Sequence, residues 1–315
     1  MPIDPAIHEQ IDRLQRNVEQ VFIGKTDVVR LVLVGLFSNG HLLIEDVPGV
    51  GKTTLARALA RSINCTFRRI QFTPDLLPTD ILGVPIYSAQ DEQFVFKRGP
   101  IFANVVLADE INRTTPRTQS SLLEAMNEFQ VSMDGATYPL PEPFIVLATQ
   151  NPHEYEGTFP LPESQLDRFL MCIRIGYPSR DDEREVYGSQ RLAHPLDALE
   201  PVLSSEEVVG IQRAVREVRI ADEVTDYVLD IVARSREREE LEIGVSPRGG
   251  LSLSRAAQAL ALVEGRDYCL PDDVKRLAVP VLAHRVIRRA ALMAAGGRTE
   301  REIVRDILDE TPVPV

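Results

Sequence analysis

The sequence has few cysteines, no long apolar run and fewer basic than acidic residues, and each of these absences excludes a class of protein. Cys65, Cys172 and Cys269 form no CxxC or Cys/His cluster, so neither a disulfide framework nor a zinc site is expected. No segment approaches the roughly 20 consecutive apolar residues that a membrane-spanning helix needs, and the first residues lack a signal-peptide pattern. We therefore expect a cytoplasmic protein without membrane insertion and with reduced thiols.

The overall charge balance of the chain is acidic. The 47 Asp and Glu residues against 35 Lys and Arg residues give a formal net charge of −12 over 315 residues. Nonspecific nucleic-acid binding depends on clustered positive charge, so no nucleic-acid partner is expected. The hydrophobic fraction of 44% and the charged fraction of 26% are typical of a globular protein and exclude a fibrous or wholly disordered chain. The length suggests about two domains.

The first part of the chain has the pattern of an α/β domain. Apolar residues at helical spacing from Ile7 to Val21 predict an N-terminal helix. Short apolar runs bounded by polar residues, proline or glycine then alternate with helical segments, which is typical of strands buried on both faces of a parallel sheet. The runs are 41–45, 66–72, 104–108, 144–149 and 170–175. Residues 1–178 are therefore predicted to form a three-layer α/β/α core with a five-stranded parallel sheet.

After residue 178 helical spacing replaces the strand pattern. The predicted helices are 180–191, 205–219, 223–238, 248–264, 271–289 and 299–309. Ser204 with Glu207 resembles a capping box, and Ser246 before a proline resembles a helix start. Residues 179–315 are therefore predicted to form a smaller, all-helical second domain.

Two segments exceed what a minimal α/β core needs. Residues 73–100 contain a predicted hairpin with its turn at Gln90-Asp91-Glu92, and residues 129–143 contain alternating apolar residues around Asp134-Gly135. An Asp-Gly turn between alternating strands is a strong hairpin signal. Long insertions in compact domains are usually functional.

The residues after the first predicted strand have the pattern of a phosphate-binding loop. They are close to GxxxxGK[ST], with Asp46 in place of the first glycine. Loop N–H groups and the following helix start suit phosphate, Lys52 would reach the β- and γ-phosphates, and the Thr53 hydroxyl would hold Mg²⁺. ATP and Mg²⁺ are therefore expected ligands; the alternative is a strand-to-helix turn that binds nothing. The nucleotide-binding residues of this loop are predicted to be Pro48, Gly49, Val50, Gly51, Lys52, Thr53 and Thr54.

Polar side chains follow two further strands. Asp109 and Glu110 come directly after the third run; Asp109 would join Thr53 in orienting Mg²⁺, and Glu110 would activate the attacking water. Asn151 follows the fourth run, where its amide could hold the water or the γ-phosphate. The alternative for Asn151 is a simple Asn-Pro turn.

Two arginines could stabilise the charge that develops in phosphoryl transfer. Arg168 precedes the fifth run, and Arg248 lies in the first turn of a predicted helix, where the helix dipole disfavours a cation. The alternatives are an exposed surface arginine for Arg248, and an ion pair with Asp167 or Glu163 for Arg168.

Taken in order, these motifs resemble the MoxR family of AAA+ ATPases. The resemblance covers essentially the whole chain from about Val21 and implies a P-loop NTPase core followed by a helical lid. Its motifs are 48–53, 107–113, 148–152, 161–169 and 246–248, and segments 70–78 and 119–126 are also typical of the family. The two insertions resemble the branch that includes magnesium chelatase subunits and MCM helicases.

The resemblance implies a role for each motif. Lys52 and Thr53 match the Walker A residues, Asp109 and Glu110 match Walker B, and Asn151 matches sensor 1.

Other matched residues lie outside the loop itself. Arg248 matches sensor 2 of the lid, and Arg168 matches the arginine finger, which reaches the nucleotide of a neighbouring subunit. Gln71 could couple Glu110 to the state of the ligand. The segment that begins at Val21 matches the one that packs on adenine, through Phe22, Ile23 and Gly24.

Partners also follow from the resemblance. The family forms rings, most often hexamers, and acts as chaperone-like remodelers of client proteins, often beside proteins with von Willebrand factor A domains. Phe94, Phe96 or Met133 could line a central pore and touch a client, or could simply close the hairpins on the core. The competing functions are a nucleic-acid motor, a nucleotide-gated switch with little turnover, and a small-molecule kinase.

Overall fold

The structure is a computed structural model that describes residues 4–90, 92–151, 157–189, 195–289 and 297–314. Within these residues the strands are β1 (Leu42–Glu45), β2 (Phe67–Gln71), β3 (Gly83–Ser88), β4 (Gln93–Arg98), β5 (Val105–Asp109), β6 (Gln130–Met133), β7 (Ala136–Pro139), β8 (Ile145–Gln150), β9 (Met171–Ile173), β10 (Leu241–Ile243) and β11 (Ile287–Arg288).

The helices in the same part of the chain are α1 (Pro5–Glu19), α2 (Thr26–Phe37), α3 (Lys52–Ser62), α4 (Pro78–Leu82), α5 (Pro116–Glu128), α6 (Glu163–Leu166), α7 (Arg180–Ser189), α8 (Ser205–Val215), α9 (Asp222–Glu237), α10 (Pro247–Val263), α11 (Pro271–Leu282) and α12 (Glu300–Glu310). None of the helices that the structure describes is long and apolar enough to cross a membrane.

The five predicted runs form one parallel sheet in the order β2-β5-β8-β1-β9. Alternate residues of a strand enter opposite hydrophobic layers: Leu42 and Ile44 pack in one cluster and Leu43 in the other. All three side chains are fully buried, as expected for a strand covered on both faces. The predicted α/β/α core is therefore confirmed.

The chain after β9 is mostly helical, as predicted, with one difference. β10 and β11 pair antiparallel, so the prediction of an all-helical second domain was wrong in this detail. The helix predicted to reach residue 289 ends at Leu282, because Arg285 turns inward from a 3₁₀ turn and hydrogen bonds to backbone carbonyls of the core. The predicted boundary near residue 178 falls between β9 and α7 and stays a prediction.

Both predicted hairpins are present, as β3–β4 and β6–β7; Asp91 of the first predicted turn lies outside the described residues. The Phe96 ring stacks on Tyr138 at 4.3 Å between centroids, which joins the two hairpins. Phe94 instead is 71% exposed and contacts Tyr87 edge to face. Phe96 therefore closes the hairpins, and Phe94 is available to a partner.

Candidate functional site

The loop between β1 and α3 has the backbone of a phosphate cradle. Gly49 and Gly51 have φ of 88° and 91°, a region that favours glycine. A Cβ at Gly49 would meet no heavy atom within 4 Å, so the space beside it is open. Gly51 caps α3 without a side-chain hydrogen bond, which leaves N–H groups of the first turn to a ligand. A helix start of this kind suits an anion.

Asp46 links this loop to the chain after β9. Its Oδ2 accepts hydrogen bonds from the backbone N–H groups of Ile175 and Gly176, both at 2.7 Å. Its Oδ1 accepts one from Val47 N–H at 2.9 Å, and its backbone carbonyl accepts one from Lys52 Nζ at 2.6 Å. The departure from the glycine pattern therefore has a structural function: the carboxylate ties the loop to the segment that leads into α7.

We expect Asp46→Gly to lower the free energy of unfolding by about 2–3 kcal/mol, because hydrogen bonds to a charged acceptor contribute about 1.5–3 kcal/mol each. Urea denaturation measures the change. Asp46→Asn keeps the side-chain volume and one acceptor oxygen, so it should lose less. A glycine variant as stable as the wild type would contradict the assigned function of Asp46.

Asp109 lies at the end of β5 with both carboxylate oxygens engaged. Oδ1 accepts a hydrogen bond from Thr149 Oγ1 at 2.6 Å. Oδ2 accepts two from Arg69, from NH2 at 2.6 Å and from Nε at 3.0 Å. Arg69 lies on the edge strand β2, and its side chain is 47% exposed. No sequence motif marks this arginine, although its position two residues before Gln71 places both on one face of the strand.

Glu110 follows in a left-handed conformation, with φ 60° and ψ 50°. Its Oε2 accepts hydrogen bonds from Gln71 Nε2 at 2.7 Å and from Arg113 at 3.0 Å. Thr149 holds the backbone, since its hydroxyl oxygen lies 2.9 Å from Glu110 N. Gln71 thus contacts Glu110, and its coupling of Glu110 to the state of the ligand stays a prediction. In this arrangement the carboxylate is held by neighbouring side chains of its own chain.

The other residues predicted near the nucleotide lie around the same edge. Asn151 directly follows β8, and Pro152 of its motif lies outside the described residues. Phe22 is buried against the loop, since a Cβ at Gly51 would stand 3.1 Å from its ring. Ile23 is partly exposed.

Gly24 completes this segment at a place where no larger residue fits. Its φ is 73°, and a Cβ there would stand 2.1 Å from the Asp182 side chain. The segment from Val21 to Gly24 thus runs from the loop to the start of α7, and its contact with adenine stays a prediction.

Arg168 lies at the opposite edge of the sheet from the phosphate loop, where the strands begin; the loop lies at the edge where they end. This arginine precedes β9, whose Met171 pairs with Leu42 at the start of β1, whereas the phosphate loop follows the end of β1. The length of β1 alone separates the two edges by about 10 Å. Arg168 is therefore remote from the loop of its own chain. Within the described part of the chain its guanidinium forms no ion pair, so the predicted alternative, a pair with Asp167 or Glu163, is not observed there.

Arg248 lies at this same far edge. It donates a hydrogen bond to Asn127 Oδ1 at 3.0 Å, and its Nε is 3.7 Å from Asp167 Oδ2. Asn127 follows Met126, whose carbonyl is 2.9 Å from the ring of His41 just before β1. The anionic partner of Arg248 in this chain is therefore Asp167, and the side chain is still 53% exposed.

These observations define a P-loop NTPase of the AAA class: a five-stranded parallel sheet, a glycine loop before a helix, an Asp-Glu pair on the next strand but one, and a helical lid. The model of the "ATPase family associated with various cellular activities (AAA)" matches residues 41–171, and the AAA lid domain matches residues 233–307. The chain belongs to the MoxR family of AAA ATPases.

Relatives cover almost the full chain. Uncharacterized protein YeaC of Bacillus subtilis is 50% identical over 315 residues, which is 100% of this chain and 98% of that protein. Chaperone MoxR1 of Mycobacterium tuberculosis is 44% identical over 88% of this chain and 75% of its own. A crystal structure from Cytophaga hutchinsonii superposes with a TM-score of 0.90 at 37% identity, covering 98% of this chain and 96% of its own.

Similarity extends further, to a magnesium chelatase subunit and, in the fold alone, to an MCM homologue. The magnesium-chelatase 38 kDa subunit of Acidiphilium rubrum is 25% identical over 89% of this chain and 94% of its own. An MCM homologue from Methanopyrus kandleri shares the fold, with a TM-score of 0.56 at 17% identity over 100% of this chain and 63% of its own.

Proposed function

We propose that the protein is a Mg²⁺-dependent ATPase that works as a homo-oligomeric ring, with six subunits as the expected number, and remodels a client protein. One observation carries this proposal. The phosphate loop and the Asp109-Glu110 pair lie at one edge of the sheet, and Arg168 lies at the other. A catalytic arginine at that position serves a nucleotide only when the far edge of one copy faces the loop of the next.

Within one nucleotide site, the position of each residue indicates its role in binding or hydrolysis. The first-turn N–H groups of α3 and Lys52 would bind the phosphates. Glu110 would accept the proton of the attacking water. Asn151, at the same edge, would orient that water.

The residues present fit a magnesium ion. The described residues contain no cluster of three or more His, Cys, Asp or Glu side chains that could hold a metal, so this would be a site shared with ligand phosphates. Mg²⁺ is commonly held by one or two protein oxygens together with phosphates and water. Thr53 and Asp109 would supply those oxygens, and the ion would neutralise phosphate charge.

Arg248 would act beside Arg168. Arg168 directly follows Asp167, and Arg248 Nε lies 3.7 Å from Asp167 Oδ2 at the same far edge, with its side chain 53% exposed. We therefore assign both arginines to the nucleotide of the same neighbouring subunit. This assignment gives the unfavourable position of Arg248 at a helix start a reason, because Asp167 and an approaching phosphate both favour a cation there.

Arg69 should compete with the magnesium ion for Asp109, because both are cations on one carboxylate. We expect Arg69→Gln to lower the Mg²⁺ concentration for half-maximal ATP turnover by about two- to fivefold, the size of a partly exposed ion pair. Titration of Mg²⁺ at saturating ATP measures it. Arg57→Gln on α3 is the control. An unchanged or higher Mg²⁺ concentration for half-maximal turnover in Arg69→Gln would contradict the competition between Arg69 and Mg²⁺ for Asp109.

Client binding is assigned to the first hairpin. Exposed aromatic and aliphatic side chains gather on β3–β4, with Tyr87 at 56% and Phe94 at 71% exposed. Exposed apolar groups of this kind suit contact with another protein. MoxR1 is named a chaperone, which supports remodelling of a client protein as the function. The expected partner is a protein with a von Willebrand factor A domain. The expected compartment is the cytoplasm.

The test is ATP turnover per subunit across a hundredfold range of protein concentration, with Glu110→Gln as the blank. A specific rate that rises with concentration supports a site completed between subunits. A rate at the blank level throughout would favour a nucleotide switch over an ATPase. A rate that is high and flat requires either a ring that survives dilution or a site within one chain, and sedimentation at the lowest concentration separates these two.

A further inference from the structure

Arg285 is a buried side chain of the lid that contacts the turn that carries Arg168, residues 167–170. Its Nε donates to Asp167 Oδ1 at 2.8 Å, its NH2 donates to Phe169 O at 2.6 Å, and its NH1 donates to Leu170 O at 3.0 Å. The Arg285 side chain is 2% exposed. A guanidinium from the 3₁₀ turn after α11 therefore holds the residues on both sides of Arg168.

The buried ion pair between Arg285 and Asp167 should be costly to break. Burial lowers the pKa of Arg285 to about 10, and the carboxylate of Asp167 opposes that decrease. Removing one member of a buried ion pair leaves an uncompensated charge, which is strongly unfavourable. The pair should therefore stay together during any lid movement, so that the lid and the turn move as one body.

A second set of contacts points the same way. The His284 ring nitrogen Nε2 lies 3.2 Å from Phe169 O, and Arg248 of α10 lies 3.7 Å from the second oxygen of Asp167. Two separate lid elements thus meet at one short turn of the core. Of the two charged residues of that turn, Asp167 is paired, and the Arg168 side chain forms no ion pair among the described residues.

We propose that Arg285 is a positioning residue that aims Arg168 at the nucleotide of the neighbouring subunit, so that the lid of one subunit sets the hydrolysis rate of the next. The inference rests on the proposed function, since it requires a site shared between copies. Arg285 itself touches no nucleotide. Its substitution should therefore lower the rate in the neighbour and leave ATP binding in its own loop intact.

The experiment uses Arg285→Lys in the full chain. Lysine keeps the charge, but its single nitrogen cannot reproduce the planar fork through which Arg285 reaches Asp167, Phe169 and Leu170 together. We expect kcat to fall about ten- to a hundredfold, the effect of displacing a catalytic group by about 1 Å, with the dissociation constant for ATP within twofold of wild type. Arg266→Lys is the matched control, because Arg266 is another lid arginine, with a side chain 18% exposed and paired to Asp273, far in sequence from the turn.

Mixed subunits separate positioning from general damage to the lid. Arg285→Lys subunits keep their own loop, and Lys52→Ala subunits keep an intact Arg168 turn but bind no nucleotide. Mixing the two proteins should raise turnover above that of either protein alone, as mixing Arg168→Ala with Lys52→Ala should. Asp167→Asn, which removes the charge partner while keeping its shape, is the second variant and should behave like Arg285→Lys if the lysine variant does not fold.

The outcomes distinguish the two proposals. Recovery in the Arg168 mixture but not in the Arg285 or Asp167 mixtures would overturn the positioning role and leave the shared site standing. Weaker ATP binding in step with kcat, or an unchanged kcat, would overturn it as well. No recovery in either mixture, with rings still formed, would remove the shared site and the positioning role together.

Discussion

Glu110→Gln should lower ATP turnover by about 10²- to 10⁴-fold, the usual contribution of a positioned general base, and leave ATP affinity close to the wild-type value. Glutamine has nearly the same shape, so the left-handed backbone at residue 110 and its hydrogen bond to Thr149 should persist. Its amide cannot accept a proton from water. The loss should therefore be confined to the chemical step, and the ATP-bound assembly should accumulate.

Two measurements check this expectation. Single-turnover hydrolysis reports the chemical step, and equilibrium binding of a fluorescent ATP analogue reports affinity. Glu223→Gln, an exposed carboxylate on α9, is the matched control and should hydrolyse ATP normally. Wild-type turnover in Glu110→Gln would mean that another group activates the water.

Two side chains of the same subunit hold the Glu110 carboxylate in this structure. Gln71 and Arg113 both donate to Oε2 of this carboxylate, so the two hydrogen bonds set the orientation in which the group meets a water molecule. Gln71→Ala should consequently weaken the coupling between ligand binding and hydrolysis without abolishing the base. The edge strand β2 thus takes part in control as well as in folding, because Arg69 engages Asp109 from the same strand.

The core could be predicted because its signals are local. Each of the five strands is a short apolar run ended by polar or turn residues. In β1, for example, Leu42, Leu43 and Ile44 are all fully buried. The same holds for the loop, where Gly49, Gly51 and Lys52 follow one another in sequence. A local pattern of this kind fixes both the backbone and the ligand chemistry.

The residues that sequence reasoning missed depend on contacts between distant segments. Arg285 meets Asp167 across 118 positions, and Asp46 meets Ile175 across 129. No periodicity marks either contact, and helical spacing that continues past Leu282 concealed the turn that directs Arg285 inward. Arg168 and Arg248 were identified as candidates, but only the parallel register of β1 and β9 places them at the edge opposite the loop.

The expected effect of Arg168→Ala is a fall in turnover of about 10³-fold or more, the lower range measured for catalytic arginines in phosphoryl transfer. ATP should still bind, because the loop of the same chain is untouched. Lys52→Ala should instead lose nucleotide binding, since the cation that reaches the phosphates is gone. The two variants therefore fail at opposite edges of one subunit, for different reasons.

That difference makes their mixture informative. In a ring with equal numbers of the two variants placed at random, about a quarter of the interfaces pair an intact loop with an intact Arg168, so about a quarter of the wild-type turnover should return. The control is Arg234→Ala, a substitution of an exposed arginine of α9. Its mixture with Lys52→Ala gives the turnover expected when every subunit keeps Arg168. A mixture that stays as inactive as its components, while sedimentation shows mixed rings, would place the catalytic cation within the same chain as the loop. Since the length of β1 keeps Arg168 and Arg248 from that loop, such a result would require a different residue altogether, and Arg69 and Arg113, which already contact Asp109 and Glu110, would be the first to substitute.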